Sequence, residues 1–360
     1  MTDTGEPCIL YGELYTKYKS EVISDIFSKT DIDTRKLVKS KANDVIIPCS
    51  GETAVDIATA RCVPYDNILL GGDLNIIRLY DCDGSFMSYQ LNGKRKYDIA
   101  KVAQGVSVVH LYGDHLKGVK TYNPCLEEQK KIAKLLSLLD ERITTQNKII
   151  EDLKMLKSAI IENVFDDKHS ERLQLDNVGS YIRGLTYSSN NVVEHGGTLV
   201  MRSNNIVNGS LLDYNNNVVF VNKQMSAEQQ LQNGDIVICM ANGSSSLVGK
   251  SSFYDGNCHS PITVGTFCGI YRSKEPIVKW LFQTNKYRRY IWNSLQGGNG
   301  AIANLNGEDI LNMSFSIPNA PIKDTCVKML TSVDSALENN ISLCALYTLQ
   351  KQHLLRQMFI

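Results

Sequence analysis

The sequence predicts a mixed α/β protein in which two globular domains are held apart by two long helices, and the helices form an antiparallel coiled coil. Its 360 residues are enough for two or three domains of ordinary size. Residues of the same type recur at an offset of 194 positions, for example Asp140 and Asp334, or Lys157 and Lys351. So long a period indicates duplication of a whole domain with its helix, and not a solenoid of short repeats.

The first element, residues 1–122, has the pattern of a mixed α/β domain. Short β-rich runs at residues 45–47 and 68–70 alternate with Gly, Asp and Asn residues that favour turns, and a helical stretch is predicted near residues 88–104. Alignment with the second half of the chain leaves residues 173 to about 191 without a counterpart. We therefore expect the first domain to be short at its N-terminal side by roughly 20–30 residues.

The second element, residues 123–168, is predicted to be one long helix. Asn123 is a suitable N-cap, and Pro124 follows where a missing N–H group costs nothing. Roughly 40 helical residues span roughly 60 Å. Apolar residues recur in this stretch at coiled-coil spacing, with polar interruptions. The predicted seam residues are Leu136, Leu139, Ile143, Gln146, Ile150 and Leu153.

The remaining elements are a second globular domain, residues 169–318, and a second long helix, residues 319–360. The polar seam positions of the first helix repeat in the second together with the apolar ones. Antiparallel pairing would put the two globular domains at opposite ends of the rod. It would also bring Gln146 close to Asn340, where a polar pair fixes the register of the helices. The seam residues of the second helix are Leu330, Val333, Leu337, Asn340, Cys344 and Tyr347.

A glycine-rich loop at residues 243–251 suggests a phosphate-binding P-loop at first sight. It has five residues between its glycines where a P-loop has four, and residues 252–257 have the pattern of a strand and turn instead of a helix. The repeat-equivalent residues 44–53 contain no Gly-Lys pair. These departures disfavour a nucleotide triphosphatase.

No catalytic constellation stands out in the sequence. It contains no motif of a DNA amino-methyltransferase, no glycine-rich cofactor loop in a βαβ unit and no carboxylate cluster of a nuclease. The ten cysteines form no CxxC pair, which predicts reduced thiols and no metal site. No apolar stretch is long enough to span a membrane, and the first residues lack the features of a secretory signal. The sequence therefore predicts a cytoplasmic, non-catalytic protein.

Binding residues must be sought in local clusters, because 38 Lys and Arg residues balance 38 Asp and Glu residues, whereas nucleic-acid-binding domains are usually basic. Basic and aromatic clusters at matching places of both repeats suit phosphate contacts, and loops rich in Tyr, Asn and Arg suit base edges. Solvated helix faces and turn chemistry are the alternative explanations. The predicted DNA-binding residues are Tyr11, Tyr15, Lys17, Tyr18, Lys94, Arg95, Lys96, Arg202, Asn204, Asn205, Lys250, Lys286, Arg288 and Arg289.

Several segments, in the same order in both halves, resemble the DNA-specificity subunit of type I restriction–modification systems. Residues 124–133 are similar to the start of the family's conserved helix, with a proline followed by Glu-Gln and then Ile, and residues 138–143 continue the similarity. Residues 234–238 with Gly249 and Lys250 resemble a recognition-domain strand and loop. The second helix departs from the pattern, because residues 321–325 lack the Glu-Gln pair. The other similar positions are residues 296–299, Leu305, Asn306, Ile310 and Pro318.

The resemblance implies a protein without catalysis or cofactor of its own. Each globular domain would read one half of a bipartite site in double-stranded DNA, and the helices would set the gap between the halves. Its partners would be two methyltransferase subunits that use S-adenosylmethionine and, through them, restriction subunits that use ATP and Mg²⁺. The alternative is a structural or interaction protein with two binding domains on a coiled-coil spacer, and a P-loop-like nucleotide triphosphatase is disfavoured.

Overall fold

The computed structural model of the chain describes residues 4–33, 37–166, 171–295 and 303–359. The chain divides into two compact units. Unit 1 comprises Met1–Ile150 together with Asn339–Ile360, and unit 2 comprises Glu151–Glu338. Both units combine short strands with helices, so the predicted mixed α/β class is confirmed.

The globular part of unit 1 consists of short strands and helices that precede the first long helix. Its strands are β1 (Glu6–Ile9), β2 (Ser28–Thr30), β3 (Val38–Lys39), β4 (Asp44–Pro48), β5 (Ser50–Gly51), β6 (Arg61–Val63), β7 (Leu69–Leu70), β8 (Leu74–Ile77) and β9 (Val109–His110). Its short helices are α1 (Glu13–Thr16), α2 (Ala54–Ile57), α3 (Gly84–Asn92), α4 (Lys96–Val102) and α5 (Gly113–Leu116). The sheets have the strand orders β2-β1-β7-β3, β6-β4-β8 and β5-β9.

Strand β4 contributes side chains to two apolar clusters of unit 1. Every residue of β4 is buried, because the strand lies between β6 and β8 and both of its faces are covered. Val45 and Ile47 contribute to a cluster that contains Ile99, whereas Ile46 contributes to a cluster that contains Ile9. Successive side chains of a strand point to opposite faces, so an uninterrupted apolar run is what a strand buried on both faces requires.

The helical stretch predicted near residues 88–104 is divided into two helices. It consists of α3 and α4, and Gly93 ends the first of them by donating its N–H to the carbonyl of Tyr89 at 2.9 Å. A Cβ atom at this position would lie 2.7 Å from the carbonyl oxygen of Leu355. The close approach of another backbone segment therefore requires a glycine there.

Unit 2 consists of a longer series of elements. Its strands are β10 (Glu171–Gln174), β11 (Gly179–Arg183), β12 (Val192–Val193), β13 (Thr198–Met201), β14 (Val219–Val221), β15 (Ile236–Cys239), β16 (Ala241–Asn242), β17 (Ser251–Phe253), β18 (Ile262–Val264), β19 (Cys268–Ser273), β20 (Ala303–Asn304) and β21 (Ser314–Ile317). Its short helices are α7 (Leu175–Val178), α8 (Val278–Leu281), α9 (Asn285–Leu295) and α10 (Gly307–Leu311). The sheets have the orders β11-β19-β15-β17, β12-β14-β13-β18, β10-β21 and β16-β20.

The internal repeat is visible in the strands. The antiparallel order β6-β4-β8 of unit 1 recurs as β17-β15-β19 in unit 2. An equivalent ion pair lies at the end of the third strand in both: Arg78, directly after β8, contacts Asp44 at 2.9 Å, and Arg272, near the end of β19, contacts Asp235 at 2.6 Å. Unit 2 adds β11 on the outer side of β19, whereas β8 is an edge strand in the part of unit 1 that the structure describes.

Two long helices complete the fold, as predicted. They are α6 (Leu126–Val164, 39 residues) and α11 (Ala320–Gln357, 38 residues). The predicted N-cap Asn123 is wrong by two positions, because the N–H group of Gln129 donates to the carbonyl of Cys125 at 3.0 Å and the helix starts there. Within the described chain, no helix has both the length and the apolarity needed to cross a membrane.

Every predicted seam residue of α6 and α11 is buried or half-buried. In unit 1, Leu136 packs in a cluster with Phe86, Tyr89, Leu355 and Phe359. In unit 2, the repeat-equivalent Leu330 packs in a cluster with Ile161, Phe165 and Trp280. Leu136 and Leu330 are therefore part of the cores of their units.

Candidate nucleic-acid interface

A basic cleft lies beside α9 in unit 2, and we call it the Lys250 cleft. It encloses about 230 Å³, and its lining includes Lys250, Arg288, Ser245, Ser246 and Trp292. The Trp292 side chain is 63% exposed. Cationic side chains and hydroxyls are the groups that bind phosphate oxygens, and an exposed indole is a surface on which a base can stack.

Gly249 holds Lys250 beside α9. Its φ of 80° lies in the left-handed region that favours glycine. A Cβ atom there would lie 2.7 Å from the side chain of Ile291, and the hydroxyl of Tyr287 donates to the Gly249 carbonyl at 2.8 Å. These two contacts fix the loop against α9. Lys250 of the loop and Arg288 of the helix therefore line the same cleft.

The same loop contradicts the P-loop alternative. A P-loop binds phosphate with backbone N–H groups at the start of a helix. Here Lys250 is followed directly by strand β17, so the loop leads into a sheet. The lysine is a candidate for contact with a nucleic-acid phosphate, and the loop lacks the geometry of a nucleotide triphosphatase.

Helix α9 has one face in the core and one face toward solvent. Tyr287 and Ile291 are buried, whereas Arg288, Arg289 and Trp292 are exposed. Lys286, also predicted as a DNA-binding residue, is half-buried. Trp292 is absent from the predicted set, although its spacing of four residues from Arg288 places the two side chains on one helix face.

A second cavity in unit 2, the Arg202 pocket, encloses about 460 Å³. Its lining includes Arg202, Asn204, Tyr187 and Phe267. Asn204 is exposed, and the Phe267 side chain is 63% exposed. Arg202 donates to the carbonyl of Asn217 at 3.1 Å and remains exposed at the surface. Arginine and asparagine are suited to paired hydrogen bonds with guanine and adenine edges.

Asn205 is a correction to the predicted set, because it is a buried structural residue. Only 1% of it is exposed. Its side-chain amide donates to the carbonyls of Asp213 and Asn216, and its side-chain carbonyl accepts from the N–H of Arg202 at 2.9 Å. The residue therefore holds the loop that presents Arg202, and its hydrogen-bonding groups are occupied.

In unit 1, the aromatic segment around α1 is divided between surface and core. Tyr11 is exposed and Tyr15 is half-buried. Lys17 is half-exposed and forms an ion pair with the buried Glu13 at 2.7 Å. Tyr18 is a second correction, because it lies in the core at 5% exposure, and burial with the nearby Glu13 raises its pKa to about 12. Tyr11 and Lys17 remain candidates for DNA contact.

The basic cluster before α4 is also divided. Lys94 is exposed, and the Tyr97 side chain is 68% exposed. Arg95 forms an ion pair with Asp98 at 3.4 Å, and burial together with the charge of Arg61 lowers the pKa of Lys96. Among the described residues, no hydrogen bond or ion pair joins this cluster to the α1 segment. The structure therefore brings together the candidates of the Lys250 cleft and leaves those of unit 1 as separate surface groups.

A buried ionic network connects the long helices to the globular part of unit 1. Lys351 contacts Asp140 and Glu21, each at 2.5 Å. The hydroxyl of Tyr89 donates to Asp140 at 2.7 Å. Nearby, the side-chain amide of Gln146 donates to the side-chain carbonyl of Asn340. The network therefore joins residues of α6, of α11 and of the globular part of unit 1.

Unit 2 contains an equivalent network. Asp334 contacts Lys157 at 2.7 Å and Lys279 at 2.8 Å, and it accepts from the indole N–H of Trp280 at 3.1 Å. Burial lowers the pKa of Lys157, against the opposing effect of Asp334. Asp334 and Lys157 are the repeat equivalents of Asp140 and Lys351. The repeat offset relates these residues as equivalents, whereas in the structure the carboxylate of one helix contacts the lysine of the other.

The first turns of the two helices are held differently. The buried Gln129 of α6 donates to the carbonyl of Pro124 at 2.8 Å and accepts from the N–H of Asp83 at 2.8 Å. Its repeat equivalent in α11 is Lys323, which forms an ion pair with Glu275 at 3.3 Å. The absence of Glu-Gln from the second helix is thus accompanied by a different contact to the adjacent domain.

The cysteines are free thiols. Burial raises the pKa of Cys62 to about 11 and also raises the pKa of Cys268, whereas Cys125 is exposed. A thiol is nucleophilic and metal-binding as its thiolate, so these buried thiols are unreactive near neutral pH. The described residues contain no group of three or more His, Cys, Asp and Glu side chains arranged for a metal ion.

Comparison with known proteins gives a match to one family over most of the chain. The family model described as the type I restriction modification DNA specificity domain matches residues 10–155 and again residues 168–343. The two matches coincide with the two halves of the internal repeat. Residues 296–299, part of the sequence resemblance, lie outside the described residues.

Curated relatives match over a shorter region. The specificity subunit of the type I restriction enzyme EcoKI from Escherichia coli (strain K12) is 35% identical over 155 residues, and that of StySPI from Salmonella potsdam is 34% identical over 153 residues. Each match covers 40% of this chain and 31% of the relative. The matched region therefore covers about a third of the full length of these relatives.

Solved structures are similar in fold. A type I restriction–modification S subunit from M. genitalium has a TM-score of 0.61 at 17% identity, and the match covers 99% of this chain and 92% of that one. A structure described as the basis of complex assembly and conformational transition of the type I R-M system has a TM-score of 0.50 at 14% identity, with 88% and 81% covered. Identities this low show a common fold.

Proposed function

The chain belongs to the family of type I restriction–modification DNA specificity domains, and on this premise we propose that it is the non-catalytic specificity subunit of such a system. The observation that supports this most directly is the double match of the family's domain, once in each half of the chain. Duplication of a recognition domain in one polypeptide is what the reading of two separate DNA segments requires.

We propose that each globular domain, residues 1–122 and residues 169–318, reads one half of a bipartite duplex sequence. The repeated Arg–Asp ion pairs, Arg78–Asp44 and Arg272–Asp235, support a common scaffold for both readers. The surface groups differ between the repeats, with Tyr11 in the first half and Arg202 in the second. A shared scaffold with different surface side chains is suited to two different half-sites.

The candidate residues divide into two proposed roles. Lys250 and Arg288 would contact phosphates, as would Lys94 in the first half, and such contacts give affinity without sequence information. Arg202 and Asn204 would contact base edges, which specify sequence. Support for this division is the clustering of hydroxyls around Lys250 and the exposure of Asn204 beside the Arg202 pocket.

We propose that α6 and α11 pair in antiparallel orientation and serve as the spacer between the half-sites. In unit 1 the supporting contacts are Asp140 with Lys351 and Gln146 with Asn340. From the first contact to the second, the residue number rises along α6 and falls along α11, as it does in an antiparallel pair. In unit 2 the contact of Lys157 with Asp334 follows the same order. Three polar contacts among apolar seam residues would fix one register.

The proposed partners are two methyltransferase subunits that use S-adenosylmethionine and, through them, restriction subunits that use ATP and Mg²⁺. The chain has no net charge, with 38 basic and 38 acidic residues. Firm DNA binding depends on neutralising several phosphates. A neutral reader is therefore expected to rely on partner subunits for part of its contact with DNA, inside the cytoplasm where the DNA lies.

Salt-dependent DNA binding by single variants tests the proposed roles. Lys250→Ala and Arg288→Ala should weaken binding to all sequences alike and reduce the salt slope by about 1 each. Arg202→Ala should cost about 1–3 kcal/mol and relax specificity at one position of one half-site. Lys274→Ala, which removes an exposed charge elsewhere in unit 2, is the matched control. Equal effects of Lys250→Ala and Lys274→Ala would contradict the assignment.

The alternative function is that of an interaction protein whose helices space two protein-binding domains. It is favoured by the neutral charge and by the exposed Leu346 and Leu349 on α11, at 62% and 60% exposure. It predicts no sequence preference in any duplex library, with or without a methyltransferase present.

A further inference from the structure

The Arg202 pocket combines polar and apolar groups in its lining. Its polar part is residues 202–204, and its apolar part includes the aromatic side chains of Tyr187 and Phe267. Tyr187 is half-buried, whereas the Phe267 side chain is 63% exposed. The pocket thus offers hydrogen-bonding groups and an accessible apolar ring to one ligand.

Phe267 has a fixed place because its turn is fastened on both sides. The turn joins β18 to β19, and the N–H of Cys268 donates to the carbonyl of Gly265 at 2.9 Å. The carbonyl of Phe267 accepts from the N–H of Met240 at 2.8 Å. The N–H of Gly265 donates to the carbonyl of Met201, the last residue of β13, at 2.8 Å. The polar run of the pocket begins directly after β13, so one backbone frame holds both parts of the lining.

Unit 1 has a turn at the equivalent place, with equivalent fastening. At the repeat offset of 194, this turn begins at Gly71, whose N–H donates to the carbonyl of Ile9 at 2.9 Å. Asp73 takes the place of Phe267, and its carbonyl accepts from the N–H of Cys49 at 2.7 Å. The flanking strands correspond too, since β1 pairs parallel with β7 as β13 does with β18. The two turns differ in backbone conformation at Asp73, whose φ is 68°.

The side chains at this place differ in chemistry. Asp73 is exposed and accepts a hydrogen bond from the hydroxyl of Ser50 in its own unit. Phe267 carries a ring that has no group for such a bond. The equivalent turn of unit 1 is held without an aromatic residue, so the fastening does not require the ring. The exposed ring is therefore available for contact with a ligand of the pocket.

Thymine has a base edge that suits this lining. In the major groove it presents the O4 acceptor and the C5-methyl group, and phenylalanine is among the side chains that contact that methyl. Arg202 uses one N–H for the carbonyl of Asn217 at 3.1 Å, whereas a guanidinium has five, so donors remain for a base. Arginine pairs with guanine in the same groove, whereas apolar side chains that kink DNA enter from the minor groove. The neighbourhood of Arg202 therefore favours a methyl contact.

We propose that Phe267 is a specificity-determining residue of unit 2 and contacts the C5-methyl group of a thymine. That thymine belongs to the half-site whose polar base edges are contacted by Arg202 and Asn204. The inference rests on the proposed reading of a half-site by residues 169–318, and it adds the identity of one base to that half-site. Phe267 is absent from the residues predicted from the sequence, because a single phenylalanine in a turn gives no sign of its exposure.

Replacement of thymidine by deoxyuridine tests the contact, because it removes only the methyl group. The full chain with its methyltransferase first selects sites from a random duplex library, and Arg202→Ala identifies the half-site that unit 2 reads. Each thymidine of that half-site is then replaced in turn, and affinity is measured by fluorescence anisotropy at constant salt concentration. At one position the replacement should weaken binding about fourfold, which is the effect of losing one buried methyl group.

Variants of Phe267 assign this effect to its ring. Phe267→Ala should bind the thymidine and deoxyuridine duplexes equally, whereas Phe267→Leu keeps an apolar side chain and should retain part of the difference. Val192→Ala shortens another exposed apolar side chain of unit 2 and should retain all of it. Phe267 is mostly exposed, so its substitution should leave the fold intact, and thermal unfolding of each variant verifies this.

Two results would overturn the proposal and leave the proposed function standing. One is a selected split motif in which no thymidine of this half-site depends on its methyl group. The other is a methyl effect of unchanged size in Phe267→Ala. If that variant also weakens binding to both duplexes alike, the ring inserts between base pairs instead. Absence of any split motif would contradict the proposed function itself, and the proposal with it.

Discussion

At the scale of single residues, Asp334 is a buried carboxylate of unit 2 with three partners. It is 5% exposed and contacts Lys157, Lys279 and the indole N–H of Trp280. A buried ion pair adds little net stability, because desolvation offsets the Coulomb attraction. Removal of one partner is different, since it leaves the other charge buried and unpaired.

We therefore predict that Asp334→Ala lowers the free energy of unfolding by about 3–5 kcal/mol. The same helix offers a control in Asp324, which is exposed, and Asp324→Ala should change stability by less than about 0.5 kcal/mol. Denaturant titration of the two variants measures the difference. If both lose the same stability, Asp334 does not have the role assigned to it.

The buried thiol of Cys62 makes stability depend on alkaline pH. Burial raises its pKa from 9.0 to about 11. Between these values the unfolded chain loses the proton while the folded chain retains it, so stability falls as pH rises from about 9 to about 11. Cys62→Ala should flatten this part of the stability profile, whereas replacement of the exposed Cys125 should leave it unchanged. Unfolding midpoints across that pH range would contradict the assignment if both variants followed the original profile.

The two corrected residues show what residue-level prediction lacks. Tyr18 and Asn205 occur in segments whose composition suits DNA contact, yet both are buried. Their neighbours Tyr11 and Asn204 are exposed. In irregular segments neither a period of two nor a period of 3.6 assigns faces, so exposure depends on tertiary packing that composition does not reveal.

At the scale of elements, the long helices were predictable because their signals extend over many residues. Apolar spacing over about 40 residues and the absence of internal glycine require a long helix in almost any context. The shorter elements were less certain. The break between α3 and α4 depends on Gly93 approaching the carbonyl of Leu355, a contact with a residue far along the chain.

Gln146 and Asn340 provide the test of the helix pair as an element. Replacing both with leucine should raise stability by about 1 kcal/mol, because a polar pair in an apolar seam fixes register at a cost in stability. The same change should loosen the register of the two helices. Thermal or denaturant unfolding measures the first effect.

Register can be followed through Cys344, whose sulfur lies 3.4 Å from the side-chain oxygen of Asn147. Asn147→Cys should form a disulfide with Cys344 rapidly in the original sequence and more slowly in the double leucine variant. The exposed Lys148→Cys is a control that should not crosslink. An unchanged crosslinking rate in the double variant would mean that the polar pair does not fix the register.

At the scale of the whole molecule, the repeat offset was the most informative feature of the sequence. It predicted two like domains and two like helices, and the matching strand orders and Arg–Asp pairs of the two units agree with it. The buried networks around Asp140 and Asp334 could not be predicted in the same way. The offset relates residues that occupy the same place in the two repeats, such as the two aspartates. Each ion pair instead joins an aspartate of one helix to a lysine of the other, and these two residues are not repeat equivalents.

The residues of the candidate site also divide into those that the sequence predicts and those that it does not. The sequence predicts Lys250, Arg288 and Arg202 as contact residues, because basic residues in loops and on helix faces are recognisable by type. It did not identify Phe267 or Trp292, whose exposure results from the packing of neighbouring segments.

Selection of binding sites from a random duplex library, with the cognate methyltransferase present, tests the central claim most directly. If the two domains read two half-sites across a helical spacer, the enriched sequences will contain two short motifs separated by a gap of constant length. Enrichment of a single continuous motif, or no enrichment, would contradict the account.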